Sequence, residues 1–238
     1  MKKLFQLFLC VGVIVTMFGC SKSKVDDEAI DRIVPAIQKF AELESFDYEI
    51  GFEAPAANGK LYGSCLLEKM QLSLLLDLNA QGMKIEKFAE LYIKDEMLYV
   101  SALGQKEKQN FEIPETLNVS FDPETVSIDK KSLKENLEVA SIDSDKLHFE
   151  VKEKTIKEAI KSGELNVSDA GIDEVESVVF DIELENNFIK AMSLTIGGKT
   201  DNEDVSVTAY LKLDSINQKK AIDFPKGMEK WPSAESNK

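Results

Sequence analysis

Hydrophobic residues occupy every second position in several long stretches of this chain, and such alternation predicts β-strands with one apolar face. The longest such stretch in the first half of the chain includes Leu72, Leu74 and Leu76, and polar residues occupy most of the positions between its apolar residues. In the last third, three stretches alternate in the same way, at 178–184, 188–196 and 205–213. A shift of one residue would turn each apolar row to the other face, so the register of these strands is strongly specified.

Elsewhere apolar residues recur at every third or fourth position and no longer at every second one. Over residues 26–44, apolar side chains recur at helical spacing, which predicts an amphipathic helix that packs on a sheet. Pro35 lies inside this pattern and predicts a kink or a break near Val34. Capping-box patterns at 132–135 and 155–158 predict two further helices, the second ending at Gly163. Clean strand alternation combined with these helices predicts an α+β fold, a curved antiparallel sheet with helices on one face.

The first twenty residues have a different pattern, typical of an export signal. Lys2 and Lys3 precede an apolar run over 4–18, which is shorter than the roughly 20 residues that a spanning helix needs. Gly19 and Cys20 close the run in the position of a bacterial lipobox. We therefore predict a lipoprotein signal peptide over 1–19 and lipidation of Cys20. The alternative is an ordinary signal peptide or an uncleaved anchor in which Cys20 is incidental.

The predicted organisation follows from these boundaries. A tether over 20–25 leads from the lipidated cysteine to a single α+β domain over 26–226. A loose tail over 227–238 ends the chain, and Trp231 is the one residue in it that is expected to dock back on the domain. A diacylglycerol on Cys20, commonly joined by a third acyl chain such as palmitate on the new amine, supplies the two or more anchors that stable attachment requires. The predicted location is the extracytoplasmic face of the cell membrane, with the membrane as partner.

Charge and cysteine content narrow the function further. Two of the 29 basic residues lie in 1–19, which leaves 27 basic against 43 acidic residues and a net charge of −16. Such a surface disfavours nucleic acid as a partner. Of three cysteines, Cys10 lies in the signal and Cys20 is the lipid site, so Cys65 remains alone without an internal disulfide. We interpret Cys65 as a small buried apolar residue.

Few side chains are placed for catalysis. His148 is the only histidine, and its neighbours Leu147 and Phe149 place it on the outer face of a strand. One histidine and one free cysteine do not make a zinc site. The carboxylates at 143–145 and 201–204 do not continue as a calcium loop and are interpreted as solvated turns. We therefore predict no catalytic residue, no metal, no cofactor and no enzymatic activity.

The remaining candidates are the apolar faces themselves. They are either ordinary core or the lining of a partly open cavity that accepts an apolar ligand. The predicted ligand-cavity residues point from the strands toward the helices, and they are Leu72, Leu74, Leu76, Phe180, Ile182, Met192 and Leu194.

The chain resembles a known group of proteins in several features together. These are the lipobox, the amphipathic helix, the segment LYIKDEMLYVSALGQKEK at 91–108, a central helical insert and the closing YLKLDSINQKKAIDFP at 210–225. In these it is similar to Gram-positive surface lipoproteins of undefined function, whose fold is that of the LolA/LppX-type lipoprotein and lipid carriers. The resemblance covers most of 25–225. It implies a half-barrel with helices packed on the concave face of the sheet, and an acyl-chain ligand between sheet and helices.

Two functions follow as hypotheses. The first is a non-enzymatic, lipid-anchored surface protein that binds a lipid or another apolar ligand between sheet and helices. The second is a structural or protein-interaction lipoprotein module with a filled core and no small ligand. An enzyme is the third and weakest reading, because it would require a cleft with converging polar groups.

Overall fold

The computed structural model of the protein describes residues 24–80, 82–111, 129–163, 165, 172–201 and 203–234. The predicted signal peptide, Cys20, the predicted tether as far as residue 23 and the residues from 112 to 128 lie outside this range. The predicted fold class is confirmed: the protein is α+β, with a curved antiparallel sheet of half-barrel type and three helices. One short parallel pair makes the sheet strictly a mixed one.

In the described part of the chain, short connections join most of the successive helices and strands. In order they are β1 (Lys24–Val25), α1 (Asp27–Gln38), β2 (Ser45–Ala54), β3 (Ala57–Leu66), β4 (Gln71–Ala80), β5 (Met83–Lys94), β6 (Met97–Ala102), β7 (Gln105–Asn110), α2 (Lys130–Asn136), β8 (Leu137–Asp143), β9 (Lys146–Val151), α3 (Glu153–Ser162), β10 (Glu174–Glu185), β11 (Phe188–Thr200) and β12 (Glu203–Asp214).

The chain divides into two compact units. Of the described residues, those within Met1–Ala41 and Asp122–Ala209 form unit 1, and those within Glu42–Phe121 and Tyr210–Lys238 form unit 2. Strand β12 is therefore divided between the two units. The prediction of one domain over 26–226 remains a prediction.

Unit 1 is a sheet covered by helices. Its strand order is β1-β8-β9-β10-β11-β12, and β8 to β11 pair antiparallel. Helix α1 contacts β8 and β11, and α3 contacts β10. The face of α1 toward the sheet is fully buried at Ala29 and Ile30. This is the packing that the three-to-four-residue spacing predicted.

The helix boundaries in unit 1 agree only in part with the predicted ones. Asp26 caps α1, since its side chain accepts a hydrogen bond from the backbone N–H of Glu28 at 2.9 Å. The helix continues through Pro35, so the predicted break near Val34 does not occur. Helix α2 is capped by Asp129 and not by a box beginning at Ser132.

Helix α3 also begins before its predicted start. It starts at Glu153, without a side-chain cap, so the predicted box at 155–158 lies within the helix. Its end at Gly163, which adopts φ 80°, is confirmed.

Unit 2 is a meander. Strands β2 to β7 pair each with the next, antiparallel throughout. Strand β7 pairs with β6 although it carries no apolar residue. The two-residue turns at 95–96 and 103–104 place residues with positive φ between the strands.

Residues 227–233, which belong to the segment expected to be a loose tail, pack on the strands of unit 2. Met228–Lys230 form a 3-10 turn, and Trp231 is only 9% exposed. The Trp231 ring contacts the rings of Tyr92 and Tyr99, with centroids 6.3 and 6.0 Å away. The backbone N–H of Lys108 donates to the carbonyl of Pro232 at 2.8 Å. Residues 227–233 are therefore part of the fold.

Candidate functional site

One face of the unit 2 sheet consists almost entirely of apolar side chains. Residues directly opposite each other on antiparallel strands project to the same side. Leu74 lies opposite Leu91, and Leu91 lies opposite Val100, so the row crosses three strands. We call this surface the leucine face. Its members are Phe46, Tyr48, Ile50 and Phe52 on β2, Leu61 and Cys65 on β3, Leu72, Leu74, Leu76 and Leu78 on β4, Ala89, Leu91 and Ile93 on β5, and Leu98, Val100 and Ala102 on β6.

The aliphatic side chains of the leucine face are only half-buried. Leu72, Leu74, Leu76, Leu91 and Ile93 all fall between the buried and the exposed class. None of them belongs to the buried cluster of unit 2, which among the described residues consists of aromatic side chains and Met228. A partly exposed apolar surface that crosses several strands is a candidate binding surface.

The buried cluster of unit 2 lies on the opposite face of the sheet. Tyr92 and Tyr99 lie opposite each other on β5 and β6, and Met228 and Trp231 of the C-terminal segment cover them. The sequence predicted that the more apolar face of these strands would be the more deeply buried one. In unit 2 the less apolar face, which carries Tyr92 and Tyr99, is buried more deeply. The C-terminal segment accounts for this, because it supplies the aromatic contacts.

The same opposite face carries the charged residues of β2 and β3. Lys219 donates to the Asp47 carboxylate at 2.6 Å, and Ser64 donates to the same oxygen. Burial alone would raise the pKa of Asp47, but these two hydrogen bonds hold the pKa below its ordinary value. Glu49 likewise accepts from Tyr210 at 3.2 Å and from Lys212 at 3.4 Å. The charged groups thus have partners on their own side, away from the leucine face.

Two glycines on β3 lie where an added side chain would collide with neighbouring groups. A Cβ at Gly59 would meet the Phe52 ring at 2.7 Å, and one at Gly63 would meet the Ser73 carbonyl oxygen. Tyr48 is opposite Gly63, and its hydroxyl donates to that same carbonyl at 2.8 Å. Burial raises the pKa of Tyr48 above its usual range, so the phenol stays neutral. Sequence reasoning did not place this aromatic row in the site, because its pairing with Gly59 and Gly63 depends on the register of β2 and β3.

Cys65 also belongs to the leucine face. It is a free, half-buried cysteine opposite Phe46 and Leu72. Burial raises the pKa of its thiol to about 11, so the thiol is protonated at neutral pH. It therefore acts as a small apolar residue, as the sequence indicated.

The structure divides the seven predicted cavity residues into two groups. Leu72, Leu74 and Leu76 lie on the leucine face of unit 2. The other four lie in unit 1, where Phe180 is opposite Leu194 and Ile182 is opposite Met192. These four pack with the buried cluster to which α1 contributes Ile30 and Ile33. A cavity shared by all seven residues remains a prediction.

His148 lies on β9 between two carboxylates. Its Nδ1 is 2.7 Å from Asp181 Oδ1, and its Nε2 is 3.1 Å from Glu150 Oε1. The hydrogen bond to Asp181, followed by that to Glu150, raises the pKa of the imidazole. The side chain is 38% exposed, which agrees with the predicted outer-face position.

Other candidate sites are sparse in the described part of the chain. Within it, no three histidine, cysteine, aspartate or glutamate side chains are grouped closely enough to hold a metal ion. A shallow groove runs beside α3, and the residues that line it are charged and come from that helix alone: Glu153, Lys154, Lys157, Glu158 and Lys161. No helix among the described residues has the length and apolar content required to cross a bilayer.

Comparisons with known proteins give likenesses of fold only. No family model and no curated protein matches the chain. Among solved structures it is similar to the lipoprotein LppX of Mycobacterium tuberculosis, with 9% identity, a TM-score of 0.40, and coverage of 83% of this chain and 100% of that one. It is similar to LprF from Mycobacterium bovis at 9% identity and a TM-score of 0.40, with coverage of 85% and 99%. A LolA superfamily protein from Nitrosomonas europaea matches at 10% identity and a TM-score of 0.23, with coverage of 83% and 94%. At such scores, these likenesses assign no residue and no ligand to this chain.

Proposed function

We propose that the protein is a lipid-anchored, extracytoplasmic surface protein that binds a lipid or another apolar ligand and catalyses no reaction. The observation that carries this proposal is the leucine face: an apolar, half-buried surface across five strands that bears no charged side chain. Each square ångström of apolar surface that a ligand removes from water contributes about 25 cal/mol. An acyl chain suits such a surface because its methylene groups neither donate nor accept hydrogen bonds.

The anchor is the second element of the proposal. Acylation of Cys20 would hold the chain at a membrane, where lipids are the most abundant apolar ligands. The order of a basic start, an apolar run and Gly19-Cys20 supports it. Mass spectrometry of the N-terminal peptide tests it directly. An unmodified Cys20 in protein purified from membranes would contradict lipidation.

A neighbouring pair of leucines tests ligand binding with a matched control. Leu74 belongs to the leucine face, whereas Leu75 lies on the opposite face, across from Tyr62 and Glu90. The full-length chain is purified in mild detergent, extracted with organic solvent, and the co-purified lipid is quantified by mass spectrometry. We expect the wild-type chain and Leu75→Gln to retain lipid and Leu74→Gln to lose most of it.

Two results would sink the ligand proposal. One is the absence of lipid from the wild-type protein, and the other is equal retention by the two variants. Circular dichroism of both variants establishes that each is folded before the extraction is interpreted.

The filled core of unit 1 favours a second function. There Phe180, Ile182, Met192 and Leu194 pack with a buried cluster that includes Ile30 and Ile33 of α1, as a structural or interaction module would require. A stable cross-linked protein complex formed by lipid-free protein would favour this module over the lipid binder.

A further inference from the structure

Large apolar side chains project into solvent at the hairpin tips of unit 2. Leu103, in the turn between β6 and β7, is 77% exposed. Met83 and Ile85, at the start of β5, are 67% and 43% exposed. Exposure of several large apolar side chains to this degree at one end of a sheet is typical of a protein or membrane contact.

The topology brings these residues to the same end of the sheet. Strands β4 to β7 are consecutive and antiparallel, so the turn after β4 and the turn after β6 fall at one end. The turn after β5, at Asp95 and Glu96, falls at the other end. We call Met83, Ile85 and Leu103 the apolar tips.

The conformation of Leu103 makes its identity unusual. Its φ is 50°, and it is followed by Gly104 at 81° in a two-residue turn. The comparable turns use Asp95 with Glu96 and Asn186 with Asn187 at the same positive φ. Polar residues and glycine suit this turn, whereas a leucine there is strained and also exposed to water. Neither packing nor turn geometry therefore accounts for leucine at this position.

The charge around the tips differs from the charge of the whole chain. Residues 80–88 and 102–106 contain three lysines, Lys84, Lys87 and Lys106, and one acid, Glu86, in a protein of net charge −14. Lys84 pairs with Glu86 at 2.7 Å and Lys87 with Glu90 at 3.8 Å, but both lysine side chains stay at least 60% exposed. Lys106 lies over the Trp231 ring, 5.2 Å from its centroid. At the opposite end, residues 67–70 and 94–97 contain two lysines and three acids. Lysines beside apolar side chains match the anionic headgroups and the apolar interior of a bilayer surface.

We infer that the apolar tips insert into the interfacial layer of the membrane that carries the anchor. This inference rests on the proposed function, since the anchor brings unit 2 to a bilayer. The leucine face ends at the same tips: its last row across β4, β5 and β6 is formed by Leu76, Ala89 and Ala102. Insertion would therefore join the apolar face to the bilayer and give an acyl chain an apolar route between them.

A photocrosslinker placed at each end of unit 2 tests the inference. p-Benzoylphenylalanine replaces Met83 in one full-length protein and Met70 in another. Met70 is a matched control because it is also exposed, at 51%, but lies at the opposite end. Both proteins are reconstituted in vesicles of phosphatidylcholine and phosphatidylglycerol, irradiated and analysed by mass spectrometry. We expect lipid adducts at position 83 in several-fold higher yield than at position 70.

A second substitution links the adducts to the tips. Leu103→Asn places at this turn a residue that accepts positive φ, so the melting temperature should stay or rise while the lipid-adduct yield at 83 falls severalfold. Equal yields at 83 and 70, or an unchanged yield in Leu103→Asn, would overturn the inference. A cross-linked dimer or a protein adduct at 83 without lipid would also overturn it, in favour of a second copy or a protein partner.

This outcome is separable from that of the proposed function. An acyl group on Cys20 and a retained signal segment would each hold the chain at the vesicle, so the crosslink is informative in both cases. Loss of lipid in Leu74→Gln reports on the leucine face alone.

Discussion

The two units use the same alternating strands but cover them differently. In unit 1 the apolar face packs against α1, whose Ala29 and Ile30 are completely buried. In unit 2 the leucine face stays half-buried, and the aromatic cluster around Trp231 fills the other side. Alternation therefore specifies which side chains share a face. Burial of that face depends on whether a complementary apolar segment packs on it.

The largest expected effect concerns the aromatic cluster, which we interpret as the core of unit 2. Replacement of Trp231 by alanine removes the ring contacts with Tyr92 and Tyr99 and should lower the free energy of unfolding by about 3–5 kcal/mol. Chemical denaturation followed by far-UV circular dichroism measures it. Trp231→Phe keeps part of the contact and should cost clearly less. A loss below about 1 kcal/mol for Trp231→Ala would show that the C-terminal segment is only loosely attached.

The next effect compares the two apolar faces directly. Ile30→Ala empties a fully buried site in unit 1 and should cost about 2–5 kcal/mol. Leu74→Ala removes a half-buried side chain from the leucine face of lipid-free protein and should cost about half as much or less. Denaturation of both variants under one condition measures the difference. Equal losses would mean that the leucine face is core, and the distinction between the units would fail.

Sequence reasoning recovered the parts of this contrast that are local. The register that brings Phe180 opposite Leu194 follows from alternation, and α1 follows from helical spacing. The charged strand β7 gave no such signal, because its pairing with β6 depends on a neighbour and not on its own apolar residues. The docking of Trp231 depends on Tyr92 and Tyr99, more than a hundred residues earlier, and local pattern does not specify such partners.

The candidate site shows the same limit. Sequence identified Leu72, Leu74 and Leu76 as one apolar row, and the structure places them on one face. It did not identify the contribution of Tyr48 and Phe52, which lie opposite Gly63 and Gly59. A Cβ at Gly59 would collide with the Phe52 ring. Two glycines opposite two aromatic residues on adjacent strands have this meaning only once the register is known.

A smaller, kinetic effect is expected at Cys65, which reports on the leucine face from within. Burial raises the pKa of its thiol to about 11, so alkylation by iodoacetamide at neutral pH should be much slower than for an exposed cysteine. Because Cys65 lies opposite Leu72, a lipid on the leucine face should slow the reaction further. The rate is measured by mass spectrometry before and after delipidation. An unchanged rate would place the ligand elsewhere.

The smallest effect is electrostatic and belongs to the covered unit. The hydrogen bonds of His148 to Asp181 and then Glu150 raise the pKa of the imidazole in the folded state above its unfolded value of about 6.5. Their stabilisation is complete below the unfolded pKa and is lost as the pH rises through the folded pKa. With the side chain 38% exposed, the loss should stay under about 1 kcal/mol. Denaturation midpoints near pH 6 and pH 8 should differ more for the wild-type protein than for His148→Gln. Asp181 and His148 lie opposite each other on β10 and β9. An equal pH dependence of the two proteins would mean that this cross-strand pair adds no stability to that which the packing of α1 on the other face provides.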